Sequence, residues 1–235
     1  MEIPALADLL DLQDLDLQID RLLDRRQSLP ELARYRQANE ARQAAEATRN
    51  EVAGRHREIS LDLDKAEGEL DMLEAKLSES ETRLYAGGMS SRETAHKQLE
   101  VTSLKGQQSA LEERVLKLLD LREALDEELA AADKAIEEAL TLEKQLEGQI
   151  AAQWKEIDLE LGRREQRKGE VTPSIPADLL ELYDTLRKTK DGVAVGRFEH
   201  GACGGCHLAL SAPEQAEARE YDPPRCTHCR RIVVF

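Results

Sequence analysis

Four cysteines constrain this 235-residue chain more than any other feature. They fall in two C-x-x-C pairs, Cys203-Gly204-Gly205-Cys206 and Cys226-Thr227-His228-Cys229, nineteen residues apart. Two cysteines three apart bite one ion from a single tight turn. Two such turns supply the four soft ligands that a structural zinc ion takes as a tetrahedron. The spacing predicts one structural Zn2+ held by Cys203, Cys206, Cys226 and Cys229. A segment of about forty residues cannot build a sufficient hydrophobic core, and a metal takes the place of one. Gly204 and Gly205 are expected to serve the first turn by accepting positive φ and letting backbone N–H groups approach the sulfurs.

Other uses of the cysteines fit less well. A redox-active C-x-x-C pair belongs in a βαβ pattern, and none is visible. Disulfides need an oxidising compartment. The start, Met1-Glu2-Ile3-Pro4-Ala5, is acidic where a secretory leader is basic. With no apolar run near about 18 residues, the expectation is a cytoplasmic chain without a membrane span. His200, His207 and His228 lie near the ligands. With four cysteines available they are read as surface or supporting residues, and His207 is the first substitute for an unbound cysteine.

The preceding residues read as helix. Aromatics are 3% and charged residues 34% of the chain, the composition of long amphipathic helices. Leu9, Leu12, Leu15, Ile19 and Leu22 recur every three or four residues on one face. Ser28 and Glu31 form a capping-box pattern around Pro30 and predict a restart. A heptad-like seam follows through Ala38, Ala45, Val52, His56 and Ile59, then Leu63, Ala66, Leu70, Leu73, Leu77 and Leu84. His56 is read as a partly buried seam residue and Gly54 as a local weakening or bend. Gly87-Gly88 stops this helix, and Ser90 with Glu93 caps the next. That is the turn of an αα-hairpin with its tip near 86–91. Arms of about fifty-five residues reach ~80 Å.

The return helix runs from about Ser91 to Lys168 through Leu111, Val115, Leu118, Leu125, Leu129, Ala132 and Ile136. Its register slips near Leu140 and resumes at Leu146, Ile150, Trp154, Ile157 and Leu161. Trp154 is expected to pack near the base, where the hairpin meets the first helix. Arg163, Arg164, Arg167 and Lys168 suit a helix C-terminus, with a phosphate or acidic-partner contact as the alternative. The polar seam positions Arg49 and Arg122 fit a protein that tunes helix pairing, self-association included.

A proline loop at 171–176 precedes a short helix with Leu179, Leu180, Leu182, Tyr183 and Leu186, ended by Gly192. Val193–Phe198 reads as a strand. Ser211 and Glu214 cap a helix to about Glu220, Pro223-Pro224 breaks it, and Ile232–Phe235 is a terminal strand. Strand, knuckle, insert, knuckle, strand is a zinc-ribbon layout. The expected fold is mainly α, a long antiparallel coiled-coil hairpin over 1–170 followed by a small zinc-ribbon domain over 171–235.

With these parts in this order, the chain resembles the bacterial family of coiled-coil proteins that end in a four-cysteine zinc ribbon, long known as a domain of unknown function. The carriers are Leu9-Leu10-Asp11-Leu12-Gln13-Asp14-Leu15-Asp16, Leu84-Tyr85-Ala86-Gly87 and Leu182-Tyr183-Asp184-Thr185-Leu186-Arg187. The first knuckle and the ending from Cys226 to Ile232 complete them. The resemblance implies a non-enzymatic adaptor linked to nucleic acid or to transcription factors, an alternative sigma factor among them. Two departures stand out. The tip carries Ser90-Ser91-Arg92-Glu93 where the family has an Asn-Pro-Lys-Glu-like start. Arg230 stands where the family tends to have Gly, so a non-Gly residue must take that turn or change its geometry. Arg230 and Arg231 also put positive charge beside a dianionic zinc-thiolate centre.

The first functional expectation is therefore an adaptor that docks protein partners. Its candidate contacts are Arg225, Arg230, Arg231 and His228 on the ribbon and Tyr85, Met89 and Arg92 at the tip. The second is nucleic-acid binding through the ribbon, assisted by the cluster from Arg163 to Lys168. Against the second stands a net charge of −15. From residue 195 onward five Arg balance five Asp and Glu, so the excess lies on the helices and repels phosphate. The ribbon also has few stacking platforms, only Phe198, Tyr221 and Phe235. An enzyme is disfavoured because four Cys ligands leave zinc no open position. A zinc hook is set aside because the apex is Gly87-Gly88 and no G-x-x-x-x-G-K-S/T occurs.

Overall fold

The computed structural model describes residues 3–235, with side chains from Leu6 onward. The leader reading at Met1–Ala5 lies outside the described residues, apart from the backbone of Ile3, Pro4 and Ala5. The elements are α1 (Ile3–Gln27), α2 (Pro30–Tyr85), α3 (Ser91–Val171), a 3-10 turn (Thr172–Ser174), α4 (Ala177–Thr189), β1 (Val195–Glu199), β2 (Ala202–Cys203), α5 (Ala212–Glu220) and β3 (Ile232–Val234). Long helices form a hairpin, and a small sheet lies near the C-terminus. Among the described residues no helix is long and apolar enough to cross a membrane. The chain forms two compact units, Arg34–Gln145 and a composite of Met1–Ala33 with Leu146–Phe235.

In the hairpin unit the seam buries Ala38, Val52, Leu63, Ala66 and Leu77 of α2, and Val101, Leu104, Leu125, Ala132 and Ala139 of α3. Leu77, Val101 and Leu104 close its distal end with Leu73 and Leu84. Gly87 (φ 77) and Gly88 (φ 87) take the left-handed conformations of the tip. The Ser90 N–H donates to Glu93 Oε2 at 2.8 Å, and the Glu93 N–H donates to Ser90 Oγ at 3.4 Å, which is the expected capping box. α2 runs unbroken through Gly54, where an added Cβ would meet open space.

Charge pins the pairing of the two arms. Residues 34–57 hold six Arg against three Glu, whereas 58–81 hold two Lys against nine carboxylates. Accordingly Arg42, Arg49 and Arg55 of α2 pair with Glu143, Asp133 and Glu128 of α3. Farther out the polarity reverses, with Glu69 and Glu81 of α2 against Arg114 and Lys105 of α3. Each exposed pair contributes only ~0.2–1 kcal/mol, but a slipped register sets like charges together. Arg49 therefore works within the hairpin, and the seam residue His56 lies 3.0 Å from Asp126.

In the composite unit α1, α4 and the sheet share one core: Leu6, Leu9, Leu12, Ile175, Leu179, Tyr183, Leu186, Ala194, Val195 and Ile232. A second cluster joins Leu29, Ile157 and Leu161 to Ile19, Leu22, Leu32 and Trp154. Trp154 sits where expected, against the end of α1. Its Nε1 donates to the Arg26 carbonyl at 3.1 Å, and the Arg26 guanidinium lies 5.1 Å from the ring centroid. Ser28 departs from the expected capping box. Its Oγ donates to the Asp24 carbonyl at 2.7 Å, so it finishes α1 and does not start α2. Of the basic cluster, Lys168 turns back to Asp16 and Arg167 pairs with Glu170, while Arg163 and Arg164 are exposed.

Two of the stretches that carry the family resemblance interlock here. Gln13 Oε1 accepts from the Ala194 and Val195 N–H groups at 2.7 Å each, and its Nε2 donates to the Val195 carbonyl at 2.8 Å. A side chain of α1 thus satisfies buried backbone groups at the start of β1. Asp16, 1% exposed, accepts from Tyr183 Oη and Lys168 Nζ at 2.7 Å each. Arg187 approaches Asp16 at 3.6 Å and bonds Asp20 at 2.6 Å. Burial, reinforced by the Asp16 carboxylate, pushes the Tyr183 hydroxyl well above the usual phenol range.

The sheet has the order β2-β1-β3. β1 pairs antiparallel with β2, Phe198 opposite Cys203, and parallel with β3, Val195 opposite Ile232. The parallel pair arises because both knuckles and α5 intervene and return the chain to the start of β1.

Candidate metal centre

Each knuckle hangs on the end of a strand, and the two are built alike. In the first, the His207 N–H donates to the Cys203 carbonyl at 2.7 Å and the Cys203 N–H to the Leu208 carbonyl at 3.0 Å. In the second, the Arg230 N–H donates to the Cys226 carbonyl and the Cys226 N–H to the Arg231 carbonyl, both at 2.9 Å. The residue after the second cysteine is left-handed in both, His207 at φ 61 and Arg230 at φ 64. Arg230 thus takes the turn where the resembled family tends to have glycine. Its guanidinium lies 5.1 Å from the Tyr221 ring centroid, a contact that offsets part of the roughly 1–2 kcal/mol such a backbone costs.

The glycines of the first knuckle meet the expectation only in part: the Gly205 N–H serves the Cys203 sulfur, but the left-handed turn is absent. Gly204 and Gly205 are not among the positive-φ residues. Close approach requires them. A Cβ on Gly204 would meet the Arg197 carbonyl oxygen at 2.7 Å, and one on Gly205 would meet Arg231 Cδ at 2.6 Å. The Gly204 N–H donates to that Arg197 carbonyl at 2.9 Å, so the knuckle lies directly on β1. Gly196 of β1 completes the contact, since a Cβ there would run into the Gly205 backbone nitrogen. Gly196→Ala is expected to destabilise the ribbon by at least about 2 kcal/mol, because backbone must move. Gly205→Ala is expected to cost less, because a side chain and not backbone must move, at the expense of the Arg231 bonds to the Val193 and Lys190 carbonyls. Thermal melts of the two variants check this order.

The four sulfurs converge. All lie within 4.8 Å of one another, with Cys203 and Cys229 at 4.0 Å and Cys206 and Cys226 at 3.9 Å. A tetrahedral ion with metal–sulfur bonds of about 2.3 Å sets its sulfurs ~3.8 Å apart. A disulfide needs about 2.05 Å, and the four are free cysteines. Cys203 and Cys226 are fully buried, and Cys206 and Cys229 are half-buried.

Two of the four thiols resist ionisation. Burial pushes the Cys203 thiol up to about 12, against bonds from the Gly205 and Cys206 N–H groups. Burial raises Cys206 as well. Burial also opposes ionisation of Cys229. There the Arg231 N–H, the Cys206 and Cys226 thiols and the Arg231 side chain prevail and hold it below the usual range. A site that packs four sulfurs at tetrahedral spacing, two of which resist ionisation, fits a divalent cation.

Other residues singled out in the sequence do not enter the cluster. His228 faces Glu214 at 3.3 Å, and His200 and His207 are exposed. Arg225 is half-buried, and its N–H donates to the Ala218 carbonyl. Arg230 turns to Tyr221, whereas the Arg231 side chain donates to the Val193 and Lys190 carbonyls. At the hairpin tip Tyr85 is 82% exposed, Arg92 is exposed and Met89 is half-buried. Sequence reasoning missed Gln13, Asp16 and Gly196. Their only signal was place, two in a quoted motif stretch and one before the first knuckle.

Comparison with known proteins agrees with this architecture. Residues 12–191 match the model of the CT398-like coiled coil hairpin domain. The uncharacterized protein Rv2229c of Mycobacterium tuberculosis is 25% identical over 233 residues, 96% of this chain and 93% of that protein. The solved structure of CT398 from Chlamydia trachomatis superposes with a TM-score of 0.72 at 18% identity, covering 98% of this chain and 97% of that one. A Mycobacterium smegmatis structure superposes at 0.68 with 22% identity, covering 99% and 98%. At these identities the two structures establish the shared fold.

Proposed function

The chain belongs to the CT398-like coiled coil hairpin family, and from that premise we propose that it is a non-enzymatic, zinc-binding adaptor of the cytoplasm. Zinc is the metal we assign, one ion per chain in a purely structural role. The observation that carries this reading is the closed donor set, four cysteine sulfurs at tetrahedral spacing. Four thiolates favour zinc among the common divalent ions and leave it no position for water or substrate. The ion's task is then to hold two knuckles against β1 and fix the ribbon's outer surface.

Protein partners dock on that surface, on the hairpin tip, or on both. Components of the transcription machinery, a sigma factor among them, are the class the family resemblance favours. Tyr85 at the tip supports the reading, being a large side chain left 82% exposed. Nucleic acid is the weaker reading. The ribbon's aromatic rings are already engaged: Phe198 stacks on Phe235 at 5.0 Å, Arg219 covers Phe235, and Arg230 covers Tyr221. Little aromatic face is left for bases.

A tagged pull-down from native lysate, with and without nuclease, tests the reading. The comparison chains are Cys203→Ser/Cys206→Ser and Tyr85→Ala. Partners that survive nuclease but are lost with either variant place docking on the ribbon or the tip. Partners lost on nuclease treatment overturn the protein-docking reading in favour of nucleic acid.

A further inference from the structure

The outer face of α2 lies away from the seam that buries Val52, Leu63 and Ala66. In a coiled-coil arm, residues seven apart share a face. Leu61 stands at the middle of the outer face and is 63% exposed, and Met72, three turns on, is 76% exposed. Gly54 and Gly68 lie seven residues to either side of Leu61, and Ala47 and Ala75 lie fourteen to either side. All four are exposed. Glycine weakens a helix interior. A Cβ added at Gly54 or Gly68 would meet nothing within 4 Å, so no contact inside the chain calls for glycine there.

Charge is arranged about the same point. Arg57 and Asp64 flank the face on one side, four residues before Leu61 and three after it. Glu58 and Lys65 flank it on the other, three before and four after. All four are exposed, and among the described residues none of them forms an ion pair within the chain. Arg42, Arg49 and Arg55, by contrast, pair with α3. Over a longer range, 34–57 is rich in Arg and 58–81 in carboxylates.

We propose that this face of α2 binds a second copy of the chain, laid antiparallel by a twofold axis passing at Leu61. A twofold contact requires a face that complements itself. Rotation about that axis sets Leu61 on Leu61 and Gly54 against Gly68. On one flank Arg57 meets Asp64 of the second copy, and on the other Glu58 meets Lys65 of the second copy. The Arg-rich half of each α2 lies along the acidic half of the other. A parallel pairing would set Arg57 on Arg57 and Asp64 on Asp64. The small residues let the two helix axes approach and cover Leu61. The strip from Ala47 to Ala75 is about 42 Å long and about 10 Å wide, roughly 400 Å² on each copy. That is the small end of specific interfaces, so the pair forms and parts with concentration. The pairing rests on the arm alone and not on the metal.

Sedimentation equilibrium of the full-length chain, from low micromolar to near-millimolar concentration, follows the pairing. The wild type is expected to rise from the mass of one chain toward that of two. Leu61→Asp sets two carboxylates together at the axis and is expected to abolish the rise. Leu116→Asp changes a leucine of α3 that is 61% exposed, and it is expected to leave the rise intact. Arg57→Asp and Asp64→Arg each turn two attractions into repulsions and are expected to weaken pairing about 10-fold. The double variant Arg57→Asp/Asp64→Arg restores opposite charges on that flank and is expected to pair as the wild type does. All the changed residues are exposed, so circular dichroism is expected to stay that of the wild type. A wild type that remains one chain at every concentration leaves the face to another partner and overturns the proposal. A dimer that survives Leu61→Asp, or that Leu116→Asp abolishes equally, overturns it too. Single reversals without effect, or a double variant no better than either single, contradict the antiparallel register and overturn it as well.

Discussion

Cys226→Ser is expected to leave the chain with far less than one metal ion per molecule and with its ribbon unfolded. Cys226 is fully exposed to none of the solvent, and its sulfur lies 3.9 Å from that of Cys206. Structural zinc supplies about 10–16 kcal/mol of apparent binding free energy in small domains, and there it is folding free energy. Around the knuckles the apolar cluster is Leu210 and Val233 beside the cysteines, with Phe198 packed against it, whereas Val195 and Ile232 belong to the core shared with α1 and α4. Nothing of similar size replaces the metal. Amide protection over the knuckles and α5, residues 200–231, should be lost, while far-UV circular dichroism keeps the signal of α2 and α3. One metal per chain with full ribbon protection in this variant would contradict a four-cysteine centre.

The second large effect is expected at Asp16. Asp16→Ala removes the acceptor for Tyr183 Oη and Lys168 Nζ and takes a carboxylate from beside Arg187. Lys168 is half-exposed and Arg187 keeps Asp20, so the main cost is a buried Tyr183 hydroxyl left without its acceptor, about 1–3 kcal/mol. Trp154, the one tryptophan, lies in the same compact unit, so urea unfolding followed by its fluorescence reads the loss. Asp16→Asn/Tyr183→Phe should cost less than the sum of its single changes, since the two groups share a bond. A change below about 1 kcal/mol in Asp16→Ala would show that the network adds little stability. The raised Tyr183 hydroxyl has a sign of its own. Stability from keeping it neutral is whole below the unfolded phenol's value of about 10 and is lost as pH rises beyond it. Tyr183→Phe should remove that alkaline loss.

The hairpin and the four sulfurs were legible because each rests on local chemistry. Glycines mark the tip, Ser90 and Glu93 cap the return, and C-x-x-C makes a knuckle wherever it occurs. The departures come from contacts distant in sequence. Ser28 has the look of an N-cap, but the Asp24 carbonyl at the end of α1 claims its hydroxyl. Gly204 and Gly205 look like turn glycines, yet what excludes a Cβ is Arg197 on β1 and Arg231 past the second knuckle. Gln13 and Asp16 stood in a stretch notable only as a motif. Their partners, Val195 and Tyr183, lie 182 and 167 residues away, beyond any periodicity. The reversal of charge between 34–57 and 58–81 was countable in the sequence, but its meaning needs the opposite arm.

X-ray absorption at the zinc edge on protein purified without added metal tests the central claim most directly. One zinc per chain is expected, with four sulfur neighbours at about 2.3 Å and no nitrogen or oxygen in the shell. A shell with nitrogen or oxygen neighbours, or a chain that holds no zinc, would contradict it.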